Sequence, residues 1–370
     1  MAPDPPPGRP RLGVPVGVFV GLTTLDVLHR VERSPGPNEK VTALRQDVAA
    51  GGPATNAAVV FAAMGGTARL ITSMGSDPLA AVIRAELTGR GVQTIDLTPD
   101  DPGPPAISSV AITQGTGDRS VISIDAGARV VQAPEFLQSL LSGAEVVLID
   151  GHHPELALAA ARCARAAHIP VVVDAGRWKP VMAELLPMAD DVICSADFRW
   201  PGTTHPDDSA AAIRASGTPE RSATPGRPGT PRLVAVTHGS APIRWWQGVE
   251  SGTVPVPAVA VVDTLGAGDA LHGGYAFLRT DPGRSVTDRL AGAARVAALR
   301  CSVAGPREWL RALPSLHLAA TRDASEMTPS DSPAHPWTGW SLRTAPCGGR
   351  TCCDWAGGCG RRCAPSTAPA

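Results

Sequence analysis

The sequence predicts an α/β fold in which a mostly parallel β-sheet is covered by helices on both faces. Short apolar runs typical of buried strands alternate with helical segments between residues 14 and 301. The chain has 370 residues, 43% of them hydrophobic and 18% charged, so it can bury a sizeable core. Because buried strands that alternate with helices are typical of parallel sheets, we expect three layers in which a sheet lies between helices.

The first half of the chain begins with an almost wholly apolar strand, VPVGVFV, and uses glycines to delimit its helices. Glycine pairs flank the first helix on both sides, and Gly91 ends the second. Two alternating segments with a glycine-containing turn between them are typical of a β-hairpin. We therefore predict, in chain order, a strand at 14–20, a helix at 53–64, a strand at 68–73, a helix at 78–90 and a hairpin of strands 107–113 and 119–124.

The second half repeats the alternation of strand and helix more regularly. The runs EVVLID and IPVVVDA are separated by one helix-length segment, as in a pair of parallel strands with a helical crossover. We predict strands at 145–150, 169–175, 190–195, 233–237 and 243–247, with helices at 154–167, about 180–187, 269–279 and 285–301.

Two segments break this pattern. Residues 216–231 are rich in Pro, Gly, Ser and Thr, which favours a flexible surface insert. Residues 314–370 have no repeating apolar face and contain five of the eight cysteines, so we expect a disordered or aberrant tail. The spacing of the tail cysteines lacks a clean pair of Cys-x-x-Cys motifs, which argues against a zinc site.

The overall charge excludes several classes of partner. The formal net charge is −1, which gives no broad attraction to nucleic acid or to an anionic membrane.

No apolar run is long enough to span a bilayer, and the Pro-rich N-terminus lacks the features of a secretory signal. We therefore expect a cytoplasmic protein.

The most informative segment is DTLGAGD at 263–269, which follows the strand-like run 256–262 and opens a helix. Glycines let a backbone approach an anion closely, and the free N–H groups at a helix N-terminus point toward it. Gly266, Ala267 and Gly268 would form such an anion hole, and the adjacent Asp269 can accept a proton from an attacking hydroxyl. A tight turn with an Asp cap is the structural alternative.

DTLGAGD resembles the C-terminal signature of the PfkB, or ribokinase-like, carbohydrate kinases. Their N-terminal signature resembles GGPATNAA at 51–58, continued by MGG at 64–66 and GSD at 75–77. The resemblance implies a kinase domain over 11–313 with a three-layer α/β/α sandwich. It also implies a small β-sheet lid built from strands within about 14–50 and 104–125.

On the substrate side, the resemblance assigns roles to residues near the lid. It implies that Asp26 and Asn56 bind sugar hydroxyls, that Gly51 and Gly52 form a hinge, and that Arg119 meets an anionic group of the substrate. A solvated loop Asp, an ordinary helix cap and a surface arginine are the corresponding structural alternatives. The adjacent His152 and His153 favour a role at the helix start or in the substrate pocket over metal binding.

On the nucleotide side, the resemblance implies ATP and Mg²⁺ as cofactors. Ser195 and Asp197 lie where many relatives carry an Asn-x-x-Glu motif. Their Ser-x-Asp pattern resembles that of the ketohexokinase-like or sulfofructose-kinase-like branch. Members of the family often use a monovalent cation such as K⁺, for which Asp263 matches one ligand. No metal ligated directly by side chains is predicted, and the expected nucleotide-binding residues are Lys179, Ser195, Asp197, Thr237, Gly239, Thr264 and Ala298.

We therefore expect an enzyme that phosphorylates a primary hydroxyl of a sugar, a ketose or related carbohydrate, by in-line transfer from ATP. A phosphorylated sugar is disfavoured because no dense cluster of Arg and Lys marks a second phosphate pocket. The alternatives are a nucleoside kinase and a non-catalytic sugar- or nucleotide-binding protein on the same fold. The resemblance also implies a homodimer formed through the lids.

Overall fold

A computed structural model of the chain describes residues 13–127, 129–216 and 233–316. The predicted insert at 216–231 and the predicted tail at 314–370 fall almost entirely outside these ranges. The described strands are β1 (Val16–Val20), β2 (Thr24–Val31), β3 (Arg45–Gly51), β4 (Thr67–Thr72), β5 (Val92–Asp96), β6 (Ala106–Thr113), β7 (Arg119–Ser123), β8 (Val146–Ile149), β9 (Val171–Ala175), β10 (Asp191–Cys194), β11 (Leu233–His238), β12 (Ala241–Gln247) and β13 (Glu250–Val254).

Helices connect most of these strands. They are α1 (Pro53–Ala63), α2 (Pro78–Gly89), α3 (Leu137–Leu140), α4 (Pro154–Ala166), α5 (Met182–Met188), α6 (Pro206–Ala215), α7 (Ala267–Arg279) and α8 (Val286–Cys301), followed by a 3₁₀ helix at Glu308–Ser315. Within the described ranges, no helix is long and apolar enough to cross a membrane.

The strands form two sheets. The large sheet has the order β13-β12-β11-β10-β9-β8-β1-β4-β5, and the small sheet has the order β3-β2-β6-β7. Neighbouring strands from β11 to β5 in the large sheet are parallel, whereas β12 and β13 add an antiparallel edge. The small sheet contains the predicted hairpin of β6 and β7 and corresponds to the expected lid.

Helices cover both faces of the large sheet, as the apolar strands predict. Along β1, Phe19 faces the core formed with α1, α7 and α8, whereas Val18 and Val20 face the core formed with α4, α5 and α6. Since successive side chains of a strand point to opposite faces, a strand buried on both sides is apolar throughout. The predicted three-layer α/β fold is confirmed.

Some elements differ from the prediction. The run 256–262 is irregular rather than strand-like, because β13 ends at Val254 and the following Pro255 and Pro257 cannot donate ladder hydrogen bonds. Two edge strands, β5 and β13, and helix α6 were not predicted. The 3₁₀ helix at Glu308–Ser315 extends slightly beyond the predicted end of the kinase domain at residue 313, and its Trp309 and Leu313 are buried.

Candidate active site

A cleft of about 520 Å³ lies between the small sheet and the carboxyl ends of the parallel strands. In open α/β sheets this edge is where ligands bind. The predicted residues that line the cleft are Asp26, Gly52, Asn56, Arg119, Lys179, Ser195, Asp197, Thr237, Gly266, Gly268 and Asp269. The sequence thus predicted residues from seven separate segments that the fold brings together.

The start of α7 forms the floor of this cleft. Gly266 has a φ of 70°, a left-handed conformation that glycine adopts without strain, and its carbonyl accepts the first helical bond from Ala270 at 2.9 Å. The Ala267 N–H donates to Thr264 O at 3.3 Å. Among the described residues, neither the Gly266 N–H nor the Gly268 N–H donates a main-chain hydrogen bond, so these two of the three amides predicted for an anion hole are free to meet a ligand.

Asp269 lies beside this helix start, in the first turn of α7. Burial and, second, the nearby charge of Asp174 together raise the pKa of its carboxyl to about 6. A hydrogen bond from Asn56 and the proximity of His272 act in the opposite direction. A carboxylate with a pKa in this range is poised to exchange protons near neutral pH.

Asn56 of α1 is positioned by a residue that the sequence did not single out. Its Nδ2 donates to Asp269 Oδ2 at 2.7 Å, and its Oδ1 accepts from Arg307 Nη1 at 3.0 Å. The Arg307 guanidinium also bonds to Ala50 O at 2.6 Å and to Glu86 Oε1 at 2.7 Å. Arg307 therefore fixes which end of the Asn56 amide faces the carboxylate.

His272 is buried one turn further along α7, between two segments of main chain. Nδ1 lies 2.8 Å from Gly268 O and 3.4 Å from Asp174 Oδ2, and Nε2 lies 3.2 Å from Ile193 O. These contacts tie α7 to the ends of β9 and β10.

The lid side of the cleft is closely packed around two glycines. A Cβ on Gly51 would lie 2.1 Å from Asp26 Oδ2, and a Cβ on Gly52 would lie 2.3 Å from Leu22 O. Gly52 also has a φ of 96°, so both backbone conformation and space require glycine there. Asp26 accepts a hydrogen bond of 2.6 Å from Thr24 Oγ1, and burial raises the pKa of its carboxyl.

Asp150, at the end of β8, joins three of the segments around the cleft. Its buried carboxylate accepts hydrogen bonds from the main-chain N–H groups of Leu22 (2.9 Å), His152 (2.9 Å) and Ala54 (3.2 Å). Although burial opposes ionisation, the charges of His152 and Lys179 hold the pKa of Asp150 well below its usual range. The predicted role of the His-His segment at a helix start agrees with this geometry.

The predicted nucleotide residues lie along the ends of neighbouring strands. Lys179 Nζ donates to Asp150 O at 3.0 Å, and Ser195 Oγ donates to Gly176 O at 2.7 Å. Asp197 is exposed in the cleft, two residues beyond Ser195. Within the described ranges, no three His, Cys, Asp or Glu side chains are arranged to hold a metal.

Five predicted site residues lie outside the lining of the cleft. Thr264 Oγ1 accepts from Arg119 Nη1 at 3.0 Å and donates to Gly117 O at 2.9 Å, so it links the β6–β7 hairpin to the loop before α7. The remaining four are Ala267 in the first turn of α7, Gly51 behind Asp26, Gly239 in the turn after β11, and Ala298, which is buried in α8.

Comparison with known proteins shows what the chain as a whole is similar to. Residues 17–312 match the profile of the pfkB family carbohydrate kinases. An ATP-dependent ribose-1-phosphate kinase of Halopiger xanaduensis is 28% identical over 69% of this chain and 81% of its own length. The ketohexokinase of Mus musculus is 23% identical over 77% of this chain and 96% of its own length.

Solved structures with the same fold are also similar. The ribokinase of Arabidopsis thaliana, solved in complex with ribose and ATP, has a TM-score of 0.62 and 22% identity, covering 82% of this chain and 99% of its own. The ribokinase of Thermotoga maritima has a TM-score of 0.63 and 19% identity over 82% of this chain and 100% of its own.

Proposed function

Because this chain belongs to the pfkB family of carbohydrate kinases, we propose that it transfers the terminal phosphoryl group of ATP to a primary hydroxyl of a ketose, with Asp269 as the general base. Members of this family are phosphotransferases that act on sugars with ATP. The observation that carries the residue assignment is the position of Asp269, whose carboxylate lies in the cleft at the start of α7.

The proposed reaction is a direct in-line displacement. The hydroxyl oxygen of the sugar bonds to the γ-phosphorus while its proton passes to Asp269, and the bond between that phosphorus and the β–γ bridging oxygen breaks to leave ADP. The N–H groups at the α7 start, above all those of Gly266 and Gly268, would stabilise the negative charge on the transferred group.

The sugar would bind between the large sheet and the lid. Asp26 can accept hydrogen bonds from sugar hydroxyls, and the Asn56 amide and the Gly52 backbone lie on the same side of the cleft. Asp26 and Asp269 line one cleft, so a bound sugar would hold its reactive hydroxyl near the base. A lid closed over this site would exclude water and suppress hydrolysis of ATP.

The nucleotide would lie along the ends of β9, β10 and β11. Lys179 offers a positive charge for the phosphates, and Thr237 and Gly239 lie at the end of β11. Magnesium would reduce the charge repulsion between the phosphates and the attacking oxygen. Its preference for oxygen ligands, with one or two carboxylates completing a shell of waters and phosphates, fits Asp197 and Asp174 in this cleft.

The charges around the cleft favour a neutral sugar over a sugar phosphate. Six aspartates line it, against Arg119, Arg177 and Lys179 as the cationic residues of the Arg and Lys type. Two of these cations are already engaged, because Arg119 donates to Thr264 and Arg177 pairs with Asp125 at 3.3 Å. A second phosphate on the acceptor would therefore meet mostly negative charge.

A substrate screen tests the proposal directly. Purified full-length protein is assayed for ADP release with ATP and Mg²⁺ against fructose and other ketoses, ribose, ribose 1-phosphate and nucleosides. We expect the highest kcat/KM with a ketose. A clear preference for ribose 1-phosphate or a nucleoside would contradict the substrate class, and saturable sugar binding without ADP release would indicate a binding protein.

The role of Asp269 has its own test. We expect Asp269→Asn to lower kcat by about 10³-fold or more with ATP affinity nearly unchanged, since an amide cannot accept the hydroxyl proton. Asp281→Asn, at an exposed carboxylate beyond the other end of α7, is the control and should keep normal turnover. Normal turnover of Asp269→Asn would exclude it as the base.

The lid also carries a proposal about assembly. Ile122 in β7, an edge strand of the small sheet, is 78% exposed, and Ile124, just after that strand, is 69% exposed. Exposed apolar side chains on an edge strand are typical of a contact surface. We expect a dimer that pairs through the lids, and Ile122→Glu should convert it to a monomer in light scattering; an unchanged mass would contradict this interface.

A further inference from the structure

The carboxylate of Asp263, at the start of the DTLGAGD segment, is held by two arginines from distant parts of the chain. Arg300 of α8 lies 3.2 Å from Oδ2, and Arg30 of β2 lies 3.3 Å from the same oxygen. The other oxygen, Oδ1, accepts the main-chain N–H of Leu265 at 3.0 Å. Asp263 and Arg300 are only 1% and 3% exposed, so these donors replace water around the carboxylate.

Each guanidinium also bonds to a main-chain carbonyl. Arg300 Nη1 donates to Val303 O at 3.2 Å, and Arg30 Nη1 donates to Val262 O at 3.3 Å. Carboxylate and carbonyl oxygens are the ligands that proteins offer to hard cations. Around Asp263, N–H groups of the protein already occupy these oxygens.

These residues do not fit the monovalent cation that the family resemblance implies at Asp263. A guanidinium stays charged at any ordinary pH, so two fixed positive charges lie within hydrogen-bond distance of the carboxylate. A third cation would meet strong repulsion in a site with so little water. We infer that Arg300 and Arg30 take the place of a monovalent cation beside Asp263, and that this protein has no requirement for K⁺.

The inference gives the two arginines a role at the reaction site. Arg300 and Gly266 line the same small cavity behind the start of α7, and Arg30 connects the lid sheet to the same loop. A fixed charge at this position would hold the loop in place and favour negative charge at the anion hole. Only this role depends on the proposed kinase function, because the replacement of the cation follows from the contacts of Asp263.

The wild-type protein provides the first test, through its melting temperature. Full-length protein is heated in KCl and in tetramethylammonium chloride at equal ionic strength, without substrate. A ligand that binds only the folded state raises Tm in a concentration-dependent way. We expect the Tm in KCl and in tetramethylammonium to agree within about 1 °C. A saturable rise of several degrees that is specific to K⁺ would overturn the inference.

A variant tests whether a guanidinium occupies the position of the cation. Arg300→Met removes the charge but keeps a long side chain, so it leaves Asp263 Oδ2 and Val303 O short of a donor. We expect a lower Tm that K⁺ partly restores and tetramethylammonium does not. A folded Arg300→Met protein whose Tm ignores K⁺ would overturn the inference as well.

The matched control is another arginine of low exposure that lies in an ion pair. Arg279 lies 2.6 Å from Asp191, so Arg279→Met should also lower Tm but show no response to K⁺. If Arg300→Met does not fold, Arg30→Met replaces it, because Arg30 is more exposed and bonds to the same oxygen. Since none of these measurements needs a substrate, a failed kinase assay leaves their outcome unaffected.

Discussion

Asn56 donates a hydrogen bond of 2.7 Å to Asp269 across the cleft, from the start of α1 to the start of α7. The bond favours the charged form of the carboxylate, whereas burial and Asp174 favour the neutral form. The balance between these influences sets the pH at which Asp269 ionises, and single substitutions should shift it in either direction.

Asn56→Ala should move the acidic limb of the pH–rate profile to higher pH. Without the Asn56 bond the pKa of Asp269 rises further above its ordinary value, so a larger fraction of the enzyme is protonated and inactive at a given acidic pH. The measurement is kcat/KM between about pH 5 and 9. Asn38→Gly, at an exposed loop position with a φ of 57°, serves as the control and should keep the wild-type profile.

Asp174→Asn should move the same limb to lower pH. Asp174 raises the pKa of Asp269 through its negative charge, so removing that charge lets Asp269 ionise at a more acidic pH. Activity relative to the plateau should therefore increase at low pH, even if kcat itself falls. A limb that moves in the same direction in Asp174→Asn and Asn56→Ala would contradict the electrostatic account of this site.

Arg307 should act through Asn56 rather than on its own. Its guanidinium orients the Asn56 amide, so Arg307→Met should lower kcat and raise the pKa of Asp269 in the same direction as Asn56→Ala. The effects of residues in one hydrogen-bonded chain are not additive, and we expect a coupling of about 0.5–3 kcal/mol in a double-mutant cycle with Asn56→Ala. Additive losses would mean that Arg307 serves only to anchor Ala50 and Glu86.

The sequence predicted the parts of the site that depend on local backbone. Gly52, Asn56, Gly266 and Asp269 lie in short motifs where glycines and a helix start dictate both conformation and chemistry, and the structure brings these four together in one cleft. Arg307 carried no such signal, because it meets Asn56 across 251 residues of sequence through the packing of the segment after α8.

Arg300 is a second residue whose role depends on tertiary packing and could not be predicted from the sequence. In the sequence it is one more polar residue in a helix with alanines, and only the packing of α8 against the loop at Asp263 reveals a buried charge. The irregular run at 256–262 had a visible signal, since the prolines before Ala258 are poor strand residues. Residues 257–261 of this run are exposed, so its apolar composition does not indicate a buried strand.

Gly52→Ala should damage both folding and sugar binding, and Gly65→Ala provides a close control. The two glycines have φ values of 96° and 94°, so alanine is strained at both positions. At Gly65 a Cβ meets nothing within 4 Å, whereas at Gly52 it would lie 2.3 Å from Leu22 O. We expect losses in the free energy of unfolding of about 1 kcal/mol for Gly65→Ala and about 3 kcal/mol for Gly52→Ala.

The difference should extend to substrate binding, because Leu22 is bonded through its N–H to Asp150, which also holds the start of α1. A displaced Leu22 would shift this start, where Asn56 lies, so Gly52→Ala should raise the KM for the sugar by about tenfold or more while the KM for ATP changes little. Gly65→Ala should leave both KM values unchanged. Equal effects of the two substitutions, measured by denaturant unfolding and steady-state kinetics, would show that backbone strain alone explains the glycine at 52.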